Sequence, residues 1–215
     1  MNNILKSTKL DFSLVKPYIK VIGFTMLLPI AFAAINRSIL TGVSFAMCFI
    51  AMTTGYTFSV TEKNNMERLY GILPIKKSEM VTGRYLFVLA LGALALVVSL
   101  ITQPLVLRAM GESVGTLDMI SAAIGGLFLF ALYTVFQIPG YYKYGAIKGR
   151  VFMYIPVAGF LATLFFLPKM PADNPIVTTV VSSPVLLIGL VLVLVVAMYA
   201  VSIWFSIRIM ENKEM

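Results

Sequence analysis

Residues 62–84 read EKNNMERLYGILPIKKSEMVTGR and form the longest polar interruption in an otherwise apolar chain. The stretch holds eight charges: Glu62, Lys63, Glu67, Arg68, Lys76, Lys77, Glu79 and Arg84. Met66, Leu69, Tyr70 and Leu73 fall at i, i+3, i+4 and i+7, which is one face of a short amphipathic helix. Pro74 ends that helix, because proline lacks an amide donor and disfavours helix at the residue before it. Ser78 followed by Glu79 predicts a cap opening the next helix, with the acid near its positive end. The apolar face of the short helix needs a cover. Lipid headgroups and a docked soluble partner both satisfy the pattern.

Working outward, the flanks are long and free of charge. Of 215 residues, 60% are hydrophobic and only 12% charged, with a mean hydropathy of +0.94. A soluble domain carries about twice that charged fraction. The chain therefore reads as one integral membrane domain. The single cysteine, Cys48, lies in an apolar run and forms no intrachain disulfide. Histidine is absent, which removes the commonest general base and metal ligand. Histidine-dependent metalloproteases and Ser-His hydrolases are excluded on that ground. Ser182, Ser183 and Cys48 have no histidine to activate them as nucleophiles.

The charge-free runs set the spans. A bilayer core about 30 Å thick takes roughly 20 apolar residues as helix. Five such runs are 38–61, 85–107, 119–140, 151–168 and 184–207, and a sixth, 21–36, gains length from Tyr18 and Ile19 to give a span at 18–36. Residues 174–184 are rich in proline and small polar residues and read as a loop. Residues 1–16 read as an interfacial helix. Lys6, Lys9, Ser13 and Lys16 form one stripe toward anionic headgroups, beside a mostly apolar stripe of Ile4, Thr8, Phe12 and Val15. The fold class is thus all-α: six transmembrane helices, an N-terminal interfacial helix and a polar segment, 62–84, between spans two and three. With the N-terminus inside, 14 of the 17 Lys and Arg residues fall on interior segments and 3 outside. That bias puts both termini and residues 62–84 in the cytoplasm of a multi-pass protein. The net charge of +8 follows from this topology and implies no nucleic acid.

From Val21 onward the spans hold no Asp, Glu, Lys, Arg or His that could load a coupling ion, which argues against secondary active transport. Gln103 and Gln137 are their most polar residues and are expected at the interface. Pro29, Pro104 and Pro156 are candidate kinks. The pairs Ser121/Gly125 and Ala122/Gly126 permit close helix approach, expected within the subunit. Gly71-Ile-Leu-Pro-Ile-Lys-Lys-Ser78 has the outline of a phosphate loop, but lysine replaces its second glycine and a proline sits inside it. The chain has no nucleotide site of its own.

The run Leu73-Pro74-Ile75-Lys76-Lys77-Ser78-Glu79, followed by Gly83-Arg84-Tyr85, resembles the segment between spans two and three of the small type-2 ATP-binding-cassette (ABC) transporter permeases of bacteria. Lys76 and Lys77 stand where serine and arginine are commoner. The layout of spans fits the same family along the whole chain. The resemblance implies a permease subunit in the bacterial plasma membrane that dimerises and works with a separate ABC ATPase. No cofactor is expected in this chain, since ATP and magnesium would be bound by that partner. It implies that 62–84 is a coupling segment whose helix docks on the ATPase through Glu62, Met66, Glu67, Arg68, Leu69, Tyr70 and Leu73. It also implies a pathway lined by spans two and five, with Phe45, Met47, Phe49, Met52, Phe152 and Phe160 as candidates. A greasy, uncharged lining suits export of an amphipathic peptide or toxin, such as the phenol-soluble modulins carried by small permeases of this kind, or efflux of a hydrophobic drug. The alternative is a non-transporting assembly or immunity module that docks a cytoplasmic partner.

Overall fold

A computed structural model of the chain describes residues 3–64, 66, 75–159 and 184–213. Every regular element among them is helical. Helix α1 covers Asn3–Val15 and a 3-10 turn covers Lys16–Tyr18. The first predicted span is then broken into α2 (Ile19–Thr25) and α3 (Leu27–Asn36). Pro29 supplies the reason: it offers no amide to the carbonyl of Thr25, four residues back, and the break falls at Met26. Helix α4 is Ile39–Lys63, α5 is Lys77–Ala109, α6 is Thr116–Lys148 and α7 is Pro184–Glu211. Residues Gly149–Met153 form a second 3-10 turn, and residues 154–159 are helical. Five helical stretches among the described residues are long and apolar enough to cross a membrane. The expected crossing at 151–168 lies mostly outside the described residues.

The helices outrun the spans read from charge alone. At 33 residues each, α5 and α6 run about 50 Å, well beyond a bilayer core. Charge-free runs mark only the apolar middle of such a helix; its charged ends continue past it. Ser38 caps α4, its hydroxyl accepting the Thr41 amide. The expected cap at Ser78 is corrected. Helix α5 already begins at Lys77, and the Glu79 carboxylate accepts the Lys76 amide at 3.1 Å. Asp118 does the same for the Gly115 amide at the start of α6, at 3.0 Å. Each acid sits in a first turn, where the helix end is positive.

Helix α4 lies at the centre. In its membrane-length window 56% of residues are buried, against 6% for α7. Val43, Met47 and Ile50 of α4, Val81, Tyr85 and Val88 of α5, and Phe130, Ala131 and Ile138 of α6 make up much of the core. Gly126 of α6 packs on Val43 and Met47, so the small-residue pair Ala122/Gly126 serves a contact within the subunit. Polarity is inverted relative to a water-soluble protein. Thr54, Thr57, Thr134, Ser202 and Ser206 are buried, while Leu94, Val97, Ile101 and Leu105 of α5 face outward. Buried hydroxyls have partners: Tyr85 meets Ser202 at 2.6 Å and Ser206 at 2.8 Å, and Thr134 meets Tyr199 at 2.7 Å.

The bundle has two distinct ends. At one, α1 lies against the start of α5, and the Lys77 ammonium donates to the Lys213 carbonyl at 2.9 Å. At the other, Arg37 pairs with Glu112. Helices α6 and α7 lie side by side and run toward the α1 end, with the Ser202 hydroxyl donating to the Val135 carbonyl at 2.8 Å.

Candidate functional site

The two roots of the 62–84 stretch meet at one buried point. Thr61 is the last residue of α4 before the stretch, and Arg84 closes it inside α5. The Arg84 guanidinium donates to the Thr61 hydroxyl at 3.3 Å. It also forms a forked ion pair with Asp11 of α1, at 2.9 Å to one carboxylate oxygen and 3.3 Å to the other. Only 7% of the Arg84 side chain and 2% of the Asp11 side chain is exposed. The guanidinium carbon lies 4.6 Å from the Phe58 ring centre, and Phe58 packs on Tyr141 and Tyr142 of α6. Four helices therefore converge on one cation. A planar, five-donor group is the side chain suited to forked carboxylate pairing and to stacking on a ring together.

Local sequence brings Asp11 there. Ser7, Asp11 and Val15 recur every four residues on one face of α1, and that face is buried. It rests on Gly83. A Cβ at Gly83 would lie 2.7 Å from Ser7 Cβ and 2.9 Å from the Ile4 carbonyl oxygen, so only glycine lets the two helices touch. Thr8 donates to the Gly83 carbonyl at 3.1 Å, and Asn3 donates to Glu79 at 3.2 Å. The lysine stripe of α1 is exposed as expected, with Lys6, Lys9 and Lys16 outward. Of the neighbouring stripe, Val15 is buried, Ile4 and Thr8 are half-buried and Phe12 is exposed, and the face that meets α5 is mostly polar.

A second tie lies beside the first. Helix α6 breaks at Gly145, whose φ of 79° and ψ of 177° belong to a region that only glycine occupies readily. The break frees the Ala146 amide, and the Glu62 carboxylate accepts it at 2.6 Å. The cavity at this junction measures about 40 Å³. Ligand pockets run to roughly 300–1,000 Å³. The junction is a joint between helices, not a pocket for cargo.

Two of the residues assigned to a docking face are described, and both are engaged within the subunit. Glu62 holds Ala146, and Met66 is half-buried against the apolar core. Glu67, Arg68, Leu69, Tyr70 and Leu73 lie outside the described residues. Among the pathway candidates, Phe45 and Met52 are exposed and Phe49 is half-buried beside Phe45. Phe45 stacks on Phe32 at 4.4 Å. Met47 points the other way and is fully buried against Gly126. Phe152 stacks on Tyr144 at 5.4 Å, and Phe160 lies outside the described residues. Gln103 and Gln137, expected at the membrane interface, are both fully buried within the subunit. Gln137 accepts from Thr54 at 3.2 Å, and Gln103 abuts Gly42.

Sequence reading missed the pairing of Asp11 with Arg84. A signal for it existed, since Asp11 is the only acid before Glu62, set among Lys6, Lys9, Lys16 and Lys20. An acid alone in a basic segment needs a reason, and here the reason is a buried arginine.

Long apolar helices with hydroxyls turned inward and aliphatic side chains turned outward define a multi-pass integral membrane protein. Residues 8–211 match the family described as ABC-2 family transporter protein, and the chain belongs to that family. It is thus a membrane component of an ABC transporter. No curated protein and no solved structure matches it.

Proposed function

We propose that this chain is the transmembrane subunit of an ATP-driven exporter in a bacterial plasma membrane. Two copies form the pathway, a separate ABC ATPase hydrolyses ATP, and the cargo is an amphipathic peptide or a hydrophobic drug. The observation that carries this reading is the family match, which runs through the whole of the 62–84 stretch and both of its roots. Six crossings are part of the proposal. Helices α6 and α7 run the same way, which favours a return crossing between Gly149 and Pro184. Both termini and residues 62–84 then face the cytoplasm, in agreement with the lysine and arginine bias. Residues 62–84 serve as the coupling segment, with Leu69, Tyr70 and Leu73 as apolar anchors on the ATPase. The stripe of Phe45, Phe49 and Met52 on α4, with Phe45 and Met52 exposed and Phe49 half-buried, supports a greasy surface shared between two copies.

Co-purification tests it. Burying a leucine-sized side chain contributes about 1.5–3 kcal/mol, and central apolar anchors dominate an interface. Leu69→Asp should abolish recovery of a tagged ABC ATPase subunit with the membrane-extracted permease, while Lys63→Ala leaves recovery unchanged. Normal recovery with Leu69→Asp would remove the coupling role given to this segment. A permease that binds the ATPase yet never alters its hydrolysis in liposomes, whatever amphipathic peptide is added, would favour a docking module that transports nothing.

A further inference from the structure

The buried cluster of Asp11, Arg84 and Thr61 does more than hold α1 in place. We infer that Asp11 and Arg84 are positioning residues for the 62–84 stretch, and that α1 is a clamp setting how this stretch is presented to the ATPase. The inference rests on the coupling role proposed above.

The geometry makes the case. The stretch leaves α4 after Thr61 and is back in α5 at Arg84, and those two side chains are hydrogen-bonded to each other at 3.3 Å. These two roots form the neck of the stretch. Asp11 holds the same guanidinium by two hydrogen bonds, so α1 grips the neck from outside. Ser7, Thr8 and Asn3 bind further along the returning arm of the excursion, at Met80, Gly83 and Glu79. Glu62 ties the departing side to the Ala146 amide of α6. A push on either root therefore reaches α1, α4, α5 and α6 through side chains that are already paired. A surface ion pair would yield to such a push, because exposed pairs contribute little. A buried forked pair resists it, since separating it strands a charge in apolar surroundings.

A merely structural role predicts something different. If the pair only stabilises the fold, its loss lowers the melting temperature but leaves the ATPase affinity of the still-folded protein unchanged. The test uses the full-length permease in lipid nanodiscs and the purified ABC ATPase subunit, with affinity measured well below each variant's melting temperature. Asp11→Asn keeps the shape and removes the charge. Thr61→Val cuts the link between the two roots and leaves the ion pair intact, so it serves where Asp11→Asn fails to fold. Either variant should weaken ATPase affinity at least tenfold. The exchanged pair Asp11→Arg with Arg84→Asp should recover part of the loss. Wild-type affinity in folded Asp11→Asn and Thr61→Val overturns the inference and leaves the coupling role standing. A wild-type permease that does not bind the ATPase overturns the coupling role, and this inference with it.

Discussion

Among the described residues each end of the bundle carries one ion pair, and the pairs are opposites. At the α1 end, Asp11 and Arg84 expose 2% and 7% of their side chains and are joined by two hydrogen bonds. At the other end, Arg37 and Glu112 expose 68% and 35% and meet through one contact at 3.2 Å. The first is ringed by Phe58, Thr61 and Tyr142; the second lies at the surface and joins the α3–α4 connection to the α5–α6 connection. Coulomb attraction is similar at such distances, so desolvation decides the difference. A buried charge has no water to fall back on when its partner goes, whereas an exposed one rehydrates. A close hydrogen-bonded pair thus signals a rigid joint at one end and an incidental contact at the other.

The sharpest way to break this comparison is to remove one member of the buried pair. Asp11→Ala takes the forked carboxylate partner from the buried Arg84 and should destabilise the protein by about 3–5 kcal/mol. Thermal unfolding in lipid nanodiscs would show it as a larger drop than any change at Gly83 or Arg37 produces. Replacing both members by apolar side chains, Asp11→Leu with Arg84→Met, should restore most of that stability, because no stranded charge remains. If the pair also positions residues 62–84, the double variant should regain stability without regaining ATPase affinity. A single Asp11→Ala variant that melts like wild type would place this pair in the same class as the exposed one.

A smaller effect is expected at the contact that makes the buried pair possible. Gly83→Val puts methyl groups where Ser7 and the Ile4 backbone already lie, and overpacking of this kind costs about 1–3 kcal/mol. Helix α1 should be pushed off α5, and trypsin cleavage at Lys6 and Lys9 in mild detergent should speed up. Unchanged cleavage would mean that α1 relaxes around a Cβ more readily than the geometry suggests.

Much of the architecture is legible in the sequence because the bilayer imposes a simple rule. Charge-free runs of sufficient length become helices: α5, α6 and α7 contain the runs that forecast them, and α4 begins one residue inside its run, at Ile39. Their ends are not legible, because Lys77 and Lys148 are as compatible with a helix as with a loop. The run at 18–36 gives no sign of its break beyond Pro29. Interior polarity is harder still. Gln137 reads as peripheral only if the span stops at residue 140, eight residues before α6 ends at Lys148. At the candidate site, the sequence points to residues 62–84 as a polar excursion but not to what closes its neck. Asp11 and Arg84 are 73 residues apart, and no periodicity links an acid on one helix to a cation on another. The face of α1 that packs is mostly polar, so a reading that seeks apolar stripes passes over Ser7 and Asp11.

The smallest expected effect lies at the exposed pair, and it carries a twist of backbone. Arg37 has a φ of 48° and ψ of 37°, the left-handed conformation that ends α3. For a residue with a Cβ this geometry costs roughly 1–2 kcal/mol, which glycine largely avoids. The Arg37–Glu112 contact returns about 0–1 kcal/mol at most. Arg37→Ala keeps the backbone cost and loses the contact, so it should fall below wild type by less than about 1 kcal/mol. Arg37→Gly loses the same contact but relieves the strain, against a somewhat larger entropy loss on folding. It should match wild type or exceed it slightly. Salt separates the two contributions. Raising ionic strength from about 0.05 M to about 0.5 M screens an exposed pair, so the deficit of Arg37→Ala should vanish while the advantage of Arg37→Gly over Arg37→Ala persists. A deficit in Arg37→Ala that survives high salt and exceeds about 1 kcal/mol would show that this end, too, is held by a buried interaction.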